Sequence, residues 1–228
     1  MASDRITLRP RQLALALDHA ESFAREDFLS GPGNEAALVL IDSWPDWPSR
    51  AVALVGPEGS GKTHLATIWA TAAGARVVSA RSIGAFDIPA MLATGALVIE
   101  DAGAATEERA LFHLINLARE EGAFLLFTAQ TPPSAWPVSI PDVVSRLRAM
   151  PTAILQAPDD AMLRGVMSKL AADRQLVLHE SVLGYLLTHI ERSFAAARAA
   201  VITLDEEALR QRRPPSRALA AEIFRDRA

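Results

Sequence analysis

The sequence predicts an α/β fold in which a parallel β-sheet lies between layers of helices in an αβα sandwich, followed by a small α-helical lid domain. Three observations predict it. Short apolar runs that end in polar residues recur along the chain, stretches with helical periodicity separate them, and the β signal disappears after Pro158. Alternation of strands and helices favours a parallel sheet, because each parallel strand needs a long crossover connection.

Composition limits the class of protein further. The chain has 228 residues, of which 50% are hydrophobic, enough for one substantial core and a small second one. It has no cysteine, which excludes disulfides, thiolate nucleophiles and cysteine-based metal sites. The net charge of −4 argues against a protein that coats nucleic acid, so DNA is expected to be reached through partners. No apolar run approaches the roughly 20 residues of a membrane span, and we expect a cytoplasmic protein with no membrane partner.

Residues 51–73 are predicted to form a strand, a glycine-rich loop and a helix. The loop fits the P-loop pattern G-x-x-x-x-G-K-[ST], which cradles phosphates with backbone N–H groups at a helix N-terminus. Lys62, one of only two lysines among the 23 basic residues, would reach the β and γ phosphates. The alternative is an ordinary glycine-rich turn. The predicted nucleotide contacts in this region are Gly56, Pro57, Glu58, Gly59, Ser60, Gly61, Lys62, Thr63 and His64.

A second apolar run, residues 96–103, ends in an acidic pair and has the form of a Walker B strand. Glu100 is expected to hold Mg²⁺ together with Thr63, and Asp101 to orient an attacking water. The alternative is a strand that ends in a solvated acidic turn. A further run over 121–133 places Thr128 and Gln130 where side chains could sense the γ-phosphate.

The remaining elements complete the predicted architecture. Residues 106–120 are predicted to be helical and residues 152–158 to form another strand. From 159 to 228 the chain is predicted to be helical, with four candidate helices. The predicted division is an N-terminal segment over 1–20, a nucleotide-binding domain over 21–157 and the helical lid over 158–228.

Four segments occur in a recognisable order along the chain. Residues 28–37 fit the pattern F-x-x-G-x-x-N-x-x-A, and "GKTHL", "LFHLINLA" and "PDVVSRLRA" follow. In this order they resemble the nucleotide-binding box and the later blocks of the DnaA branch of the AAA+ proteins. The resemblance implies that Phe28 and Asn34 contact nucleotide and that Arg146 is an arginine finger. It also implies ADP or ATP with Mg²⁺ as the bound cofactor. For Arg146 the alternative is a surface salt bridge on a helix.

The stretch "RQLALAL" at 11–17 precedes the predicted core and narrows the resemblance. Leu13, Leu15 and Leu17 alternate, as in an extended segment that places every second side chain in a groove, and Gln12 adds an amide. With the DnaA-like core and lid, this segment resembles the motif by which the Hda family, the regulatory inactivators of DnaA, binds the DNA polymerase sliding clamp. The alternative is a short strand or helix packed on the protein's own core.

The resemblance to the Hda family implies a regulator rather than an independent ATPase. Such a protein would stimulate hydrolysis of DnaA-bound ATP through Arg146 while held on a clamp loaded on DNA, giving inactive DnaA-ADP. The position expected for a lid sensor arginine is Ala200, with Arg198 two residues away, so at most weak intrinsic ATPase activity is expected. The sequence leaves open whether two copies form a homodimer.

Two rival functions explain part of the pattern. A clamp-loader or helicase-loader subunit that assembles with itself would share the P-loop and Arg146. A short DnaA paralogue could bind nucleotide and partners without the clamp. Two further segments receive structural interpretations: "WPDWP" at 44–48 as a rigid connection packed on the sandwich, and the basic stretch 210–217 as a solvated loop with a minor DNA contact as the alternative.

Overall fold

The computed structural model describes residues 25–85, 87–103 and 107–225. Within them the strands are β1 (Ala51–Val55), β2 (Arg76–Ser79), β3 (Ala96–Ala102), β4 (Phe124–Ala129) and β5 (Thr152–Ile154). The helices of the sandwich are α1 (Glu35–Asp42), α2 (Lys62–Ala73), α3 (Ile88–Leu92), α4 (Glu108–Glu121) and α5 (Pro141–Ala149). The lid helices are α6 (Asp160–Asp173), α7 (Glu180–His189), α8 (Phe194–Gln211) and α9 (Arg217–Phe224).

The five described strands form one parallel sheet in the order β2-β3-β4-β1-β5. Ala129 at the end of β4 pairs with Val55 at the end of β1 and with Ala102 at the end of β3. The loops that follow these three strands therefore leave the sheet at the same edge. In open parallel sheets this carboxyl edge is where ligands bind.

Each face of the sheet is covered by helices, as the predicted αβα sandwich requires. Side chains of β3 alternate: Leu97 and Ile99 lie in the cluster with α3, α4 and α5, whereas Val98 lies in the cluster with α1 and α2. The central strands are buried on both faces, which explains their uninterrupted apolar sequences.

The two tryptophans of "WPDWP" pack on the α1–α2 face, as predicted. The Trp47 ring stacks on Trp69 with centroids 4.9 Å apart, and Trp44 meets the same ring edge-on. The Trp47 indole N–H donates to the carbonyl oxygen of Leu40 at 2.6 Å. Aromatic pairs of this kind each contribute about 0.5–1.5 kcal/mol beyond the area they bury.

The lid helices α6 to α9 have a core of their own. Leu163, Met167, Leu186 and Leu204, from three different helices, are fully buried in it. The predicted division at residues 157 and 158 lies in the segment between β5 and α6.

Several elements have different bounds from those predicted. Strand β4 begins later than the predicted stretch 121–133 because Glu121 still belongs to α4 and Gly122 caps that helix, and it ends before the polar Gln130. Strand β5 covers only the first three residues of the stretch 152–158. Strand β2 and helices α1 and α3 were not predicted. Strand β2 is at the edge of the sheet and largely exposed, so it lacks a long apolar run.

Candidate functional site

The P-loop lies between β1 and α2, at the carboxyl edge of the sheet. Gly59 and Gly61 have φ angles of 73° and 95°, in the left-handed region that glycine adopts without strain. Gly61 is also the residue before the first turn of α2. The glycines thus allow the chain to turn directly into a helix N-terminus, the arrangement that binds anions.

Lys62 is buried, with 8% of its surface exposed. Its Nζ donates to the carbonyl oxygen of Gly56 at 2.9 Å and to that of Pro57 at 2.8 Å. Burial lowers the pKa of this ammonium, while the nearby carboxylates of Asp101 and Glu58 act to raise it. A phosphate bound here would have to replace these two carbonyls, and it would restore a counter-charge to a desolvated cation.

The interior of the loop has little room for side chains, but it holds one polar group without a partner. A Cβ on Gly56 would lie 2.4 Å from the carbonyl oxygen of Leu155. Next to it, the Ser60 hydroxyl is buried, and no hydrogen-bond partner for it exists in the described part of the chain. Buried hydroxyls are normally satisfied. The lysine, the glycines and this hydroxyl therefore fit a phosphate-bearing ligand.

The acidic pair ends β3 beside the P-loop. Asp101 has a φ of 54°, unusual for a residue with a side chain, and lies where the register between β3 and β4 shifts. Its backbone N–H donates to the hydroxyl of Thr128 at 3.2 Å, and its carboxylate acts electrostatically on Lys62. Glu100 precedes it and is partly buried, Thr128 is fully buried, and Gln130 is exposed just beyond β4.

Residues 25–34, here called the strap, run across the P-loop helix. The Phe28 ring meets His64 edge-on at 5.3 Å between centroids, and a Cβ on Gly61 would lie 3.5 Å from the Phe28 ring. Asn34 closes the strap on itself: its Oδ1 accepts from the N–H of Gly31 at 2.9 Å and its Nδ2 donates to the carbonyl of Leu29 at 3.0 Å. Phe28 and Asn34, the two predicted box residues, are thus both buried. Phe28 contacts the P-loop helix through its ring, whereas Asn34 holds the strap in its conformation through hydrogen bonds.

The strap also joins the sandwich to the lid. Arg25 makes a bidentate ion pair with Asp42 at the end of α1, with N–O distances of 2.8 and 3.1 Å. Asp27 forms an ion pair with Lys169 on lid helix α6. The second of the chain's two lysines is therefore committed to an interdomain contact.

The lid contacts the P-loop directly, which sequence reasoning missed. The N–H of Phe194 donates to the carbonyl oxygen of Gly59 at 3.4 Å, and a Cβ on Gly59 would lie 2.4 Å from the Ser193 Cβ. A Cβ on Gly61 would lie 3.4 Å from the Phe194 ring. A serine before a helical stretch is an N-cap signal, and Ser193 does cap α8, but that signal says nothing of the P-loop.

Helix α8 gives different positions to the two residues considered for a sensor arginine. Ala200 is 1% exposed and belongs to the lid core. Arg198 comes four residues after Phe194, one helical turn further along the face that touches the P-loop. The two residues therefore lie on different faces of α8, and Arg198 remains two residues from the expected sensor position.

Arg146 lies in the last turn of α5, and its guanidinium pairs with Asp142 one turn earlier at 2.9 Å. The start of α5 is held by Glu108 of α4, whose carboxylate accepts from the N–H of Ser139 at 2.5 Å and from that of Ile140. The Ile140 N–H is the main cause of a lowered Glu108 pKa. Arg146 thus takes part in the surface salt bridge named as its alternative role.

Some predicted residues have no structural description. The predicted clamp motif, formed by Gln12, Leu13, Leu15 and Leu17, lies outside the described residues. Within residues 25–85, 87–103 and 107–225, no helix is long and apolar enough to cross a membrane. The same residues contain no cluster of three or more histidine, aspartate or glutamate side chains able to hold a metal ion.

Sequence comparison relates the chain to a replication initiator. It is 30% identical over 176 residues to the chromosomal replication initiator protein DnaA of Caulobacter vibrioides, a match that covers 65% of this chain and 36% of that protein. The chain thus spans about a third of the length of this relative. No protein-family model matches it.

Solved structures show the same fold. Domain III of DnaA from Thermotoga maritima superposes with a TM-score of 0.72 and 20% identity, covering 90% of this chain and 96% of that domain. DnaA from Aquifex aeolicus bound to AMPPCP gives 0.64 and 18%, covering 83% of this chain and 69% of that one. RuvB from Thermotoga maritima gives 0.69 and 15%, covering 90% and 72%. The chain therefore has the AAA+ fold, and over the matched residues it is a homologue of the replication initiator DnaA.

Proposed function

We propose that the chain binds ADP or ATP at the P-loop and regulates replication initiation by acting on DnaA. The observation that carries the proposal is the group of residues gathered at the carboxyl edge of the sheet: buried Lys62, the left-handed Gly59 and Gly61, and Asp101 bonded to Thr128. This combination suits a nucleoside phosphate. The DnaA relative bound to AMPPCP and the homology to DnaA support both the ligand and the process.

Within this site the residues would divide the work. Lys62 and the backbone of the loop would hold the phosphates, and Thr63 with Glu100 would hold Mg²⁺, which would neutralise phosphate charge. Asp101 would orient water, and Thr128 and Gln130 would respond to the γ-phosphate. The Thr128 hydroxyl already accepts a hydrogen bond from the Asp101 N–H, so a movement of either residue would alter the position of the other.

The regulatory action would come from Arg146. Inserted beside ATP on a neighbouring DnaA, an arginine finger can raise hydrolysis by about 10³–10⁵. Its present partner Asp142 is half exposed, and exposed pairs contribute at most about 1 kcal/mol, so a triphosphate could replace it. Glu108 fixes the start of α5 and so would position the helix that carries the finger.

The N-terminal segment would supply the location. Gln12, Leu13, Leu15 and Leu17 would bind the sliding clamp, and a clamp loaded on DNA would raise the local concentration of the chain near DNA-bound DnaA. DnaA and the clamp are thus the proposed partners, with DNA reached through the clamp.

The decisive assay is ATP hydrolysis by purified DnaA in the presence of the clamp on DNA and of this protein. Wild type should stimulate hydrolysis, and R146A should lose the stimulation. R148A is the matched control, because Arg148 is exposed two residues further along the same helix, and it should retain it. A Gln12→Ala variant should lose the stimulation of DnaA if that stimulation depends on binding to the clamp. Equal stimulation by R146A and wild type would reject the finger assignment.

The similarity to RuvB favours one second candidate. RuvB is described as a branch migration motor, and its TM-score is close to that of DnaA domain III. The alternative function is a self-assembling ATPase that acts as a clamp-loader or helicase-loader subunit. If this alternative is correct, ATP hydrolysis by the chain alone, without DnaA, would rise steeply with protein concentration. If the chain is a regulator of DnaA, its own ATP hydrolysis should remain nearly absent at every concentration.

A further inference from the structure

The turn between α8 and α9, residues 210–217, is here called the basic turn. Arg210, Arg212, Arg213 and Arg217 lie within these eight residues, in a chain whose net charge is −4. Between positions 208 and 221 the sequence contains no acidic residue. Acidic residues resume on either side, at 205–207 and at 222, so the positive charge is confined to the turn itself.

The structure separates these four arginines into two pairs. Arg210 pairs with Glu207 at 2.5 Å and Arg213 pairs with Glu222, the two acidic residues that flank the turn. The side chains of Arg212 and Arg217 are exposed, and neither has a hydrogen-bond or ion-pair partner among the residues that the structure describes. Two guanidinium groups are thus available to an external anion.

The backbone holds these two arginines in a defined turn. Arg212 ends α8 with a φ of 52°, in the left-handed region, and its N–H bonds to the carbonyls of the last turn of α8. Pro214 and Pro215 restrict the chain that follows, and the Ser216 hydroxyl caps α9, which begins at Arg217. Because the turn is fixed at both ends, binding an anion would order only the arginine side chains.

We propose that the basic turn contacts the phosphate backbone of duplex DNA. Guanidinium groups present a planar fork that matches phosphate oxygens. A lipid surface is disfavoured. Membrane-binding helices present a whole apolar face, whereas Leu209 is a single large exposed apolar residue beside this turn. The choice of DNA over an acidic protein rests on the proposed function, which places the chain next to DNA.

The contact would be weak and sequence-independent. Each phosphate contact contributes a slope of about −0.9 to a plot of log affinity against log salt concentration, so two arginines contribute about −2. At about 50 mM salt this interaction would add to the hold of the clamp, and it would fade as salt rises. The overall negative charge of the chain would limit its strength further.

The test is fluorescence anisotropy of a short labelled duplex of arbitrary sequence with the full chain, without DnaA or clamp. Wild type should bind at about 50 mM salt, and R212A/R217A should bind about tenfold less with the salt slope reduced by about 2. R81A/R119A changes the net charge equally at exposed sites elsewhere and should bind like wild type. R212K/R217K should keep most of the affinity, because charge is retained.

Equal DNA binding by R212A/R217A and R81A/R119A, or a wild-type chain that does not bind the duplex at low salt, would overturn the proposal. Loss of DnaA stimulation with unchanged DNA binding would instead assign the turn to a protein partner and overturn it as well. Since the anisotropy measurement contains neither DnaA nor clamp, its result is independent of the Arg146 and Gln12 assignments.

Discussion

Replacing Gly59 by alanine tests whether the lid rests on the P-loop in solution. Gly59 has a φ of 73°, and an alanine in the left-handed region costs about 1–2 kcal/mol. The new Cβ would also lie 2.4 Å from the Ser193 Cβ, and overpacking of this kind costs about 1–3 kcal/mol. We therefore expect G59A to lower the free energy of unfolding by about 2–5 kcal/mol.

Two companion variants separate the backbone term from the contact term. G74A is the matched control, because Gly74 also has a positive φ, 61°, but nothing lies within 4 Å of its Cβ position; it should lose only about 1–2 kcal/mol. S193G removes the Cβ on the lid side, and glycine at an N-cap costs only a few tenths of a kcal/mol. The double variant G59A/S193G should therefore be more stable than G59A, by at most about 1–3 kcal/mol, because the Cα of residue 193 would still lie 3.2 Å from the new Cβ.

Urea unfolding followed by tryptophan fluorescence and by circular dichroism gives the required free energies. All four tryptophans, Trp44, Trp47, Trp69 and Trp136, pack in the sandwich, so fluorescence reports on that domain while circular dichroism also reports on the lid helices. The contact between Gly59 and Ser193 does not exist in solution if two results are obtained together. G59A must be no less stable than G74A, and adding S193G to G59A must not increase its free energy of unfolding.

Three further predictions use groups with perturbed pKa values. Burial lowers the pKa of Lys62 in the free protein, and a bound phosphate would raise it. Nucleotide affinity, measured by isothermal titration, should therefore fall as pH rises through the Lys62 pKa of the free protein. The K62M variant should show no such fall. Asp27 raises the pKa of Lys169, so this pair stabilises the fold below pH 10.5 and loses its contribution as pH rises above the raised value. A D27N/K169M double-mutant cycle at neutral pH should give a coupling of about 0.2–1 kcal/mol, and zero coupling would contradict it. The Glu108 pKa is lowered, chiefly by the N–H of Ile140, so E108Q should be less stable than wild type at neutral pH and the difference should shrink as pH falls below 4.5; a difference that persists in acid would argue against this cause.

The central part of the fold could be predicted from the sequence because its signals are local. Strands β1, β3 and β4 are buried on both faces, which requires continuous apolar runs that stand out from the helices between them. The edge strand β2 exposes Arg76 and Val77 and needs no such run, so its sequence carries little signal.

The site divides in the same way. The P-loop is one contiguous segment whose glycines and lysine have to be adjacent, so a pattern predicts it. The contact of Gly59 with Ser193 joins positions more than a hundred residues apart and depends on how the lid docks, which no local pattern contains. Likewise, the sequence does not show that Ala200, at the expected sensor position, is buried in the lid core, because that depends on how the lid helices pack.

The strap connects three parts of the molecule: helix α1, lid helix α6 and the P-loop helix α2. It holds Asp42 through Arg25, Lys169 through Asp27, and the P-loop helix through Phe28, so it cannot shift without altering all three contacts. If the proposed clamp binding ahead of residue 25 displaced the strap from the P-loop helix, we would expect nucleotide affinity to change by some factor. By reciprocity, nucleotide must change the affinity for that partner by the same factor. If the proposed clamp binding is coupled to the P-loop in this way, a clamp titration with and without ADP should give the same factor as a nucleotide titration with and without clamp.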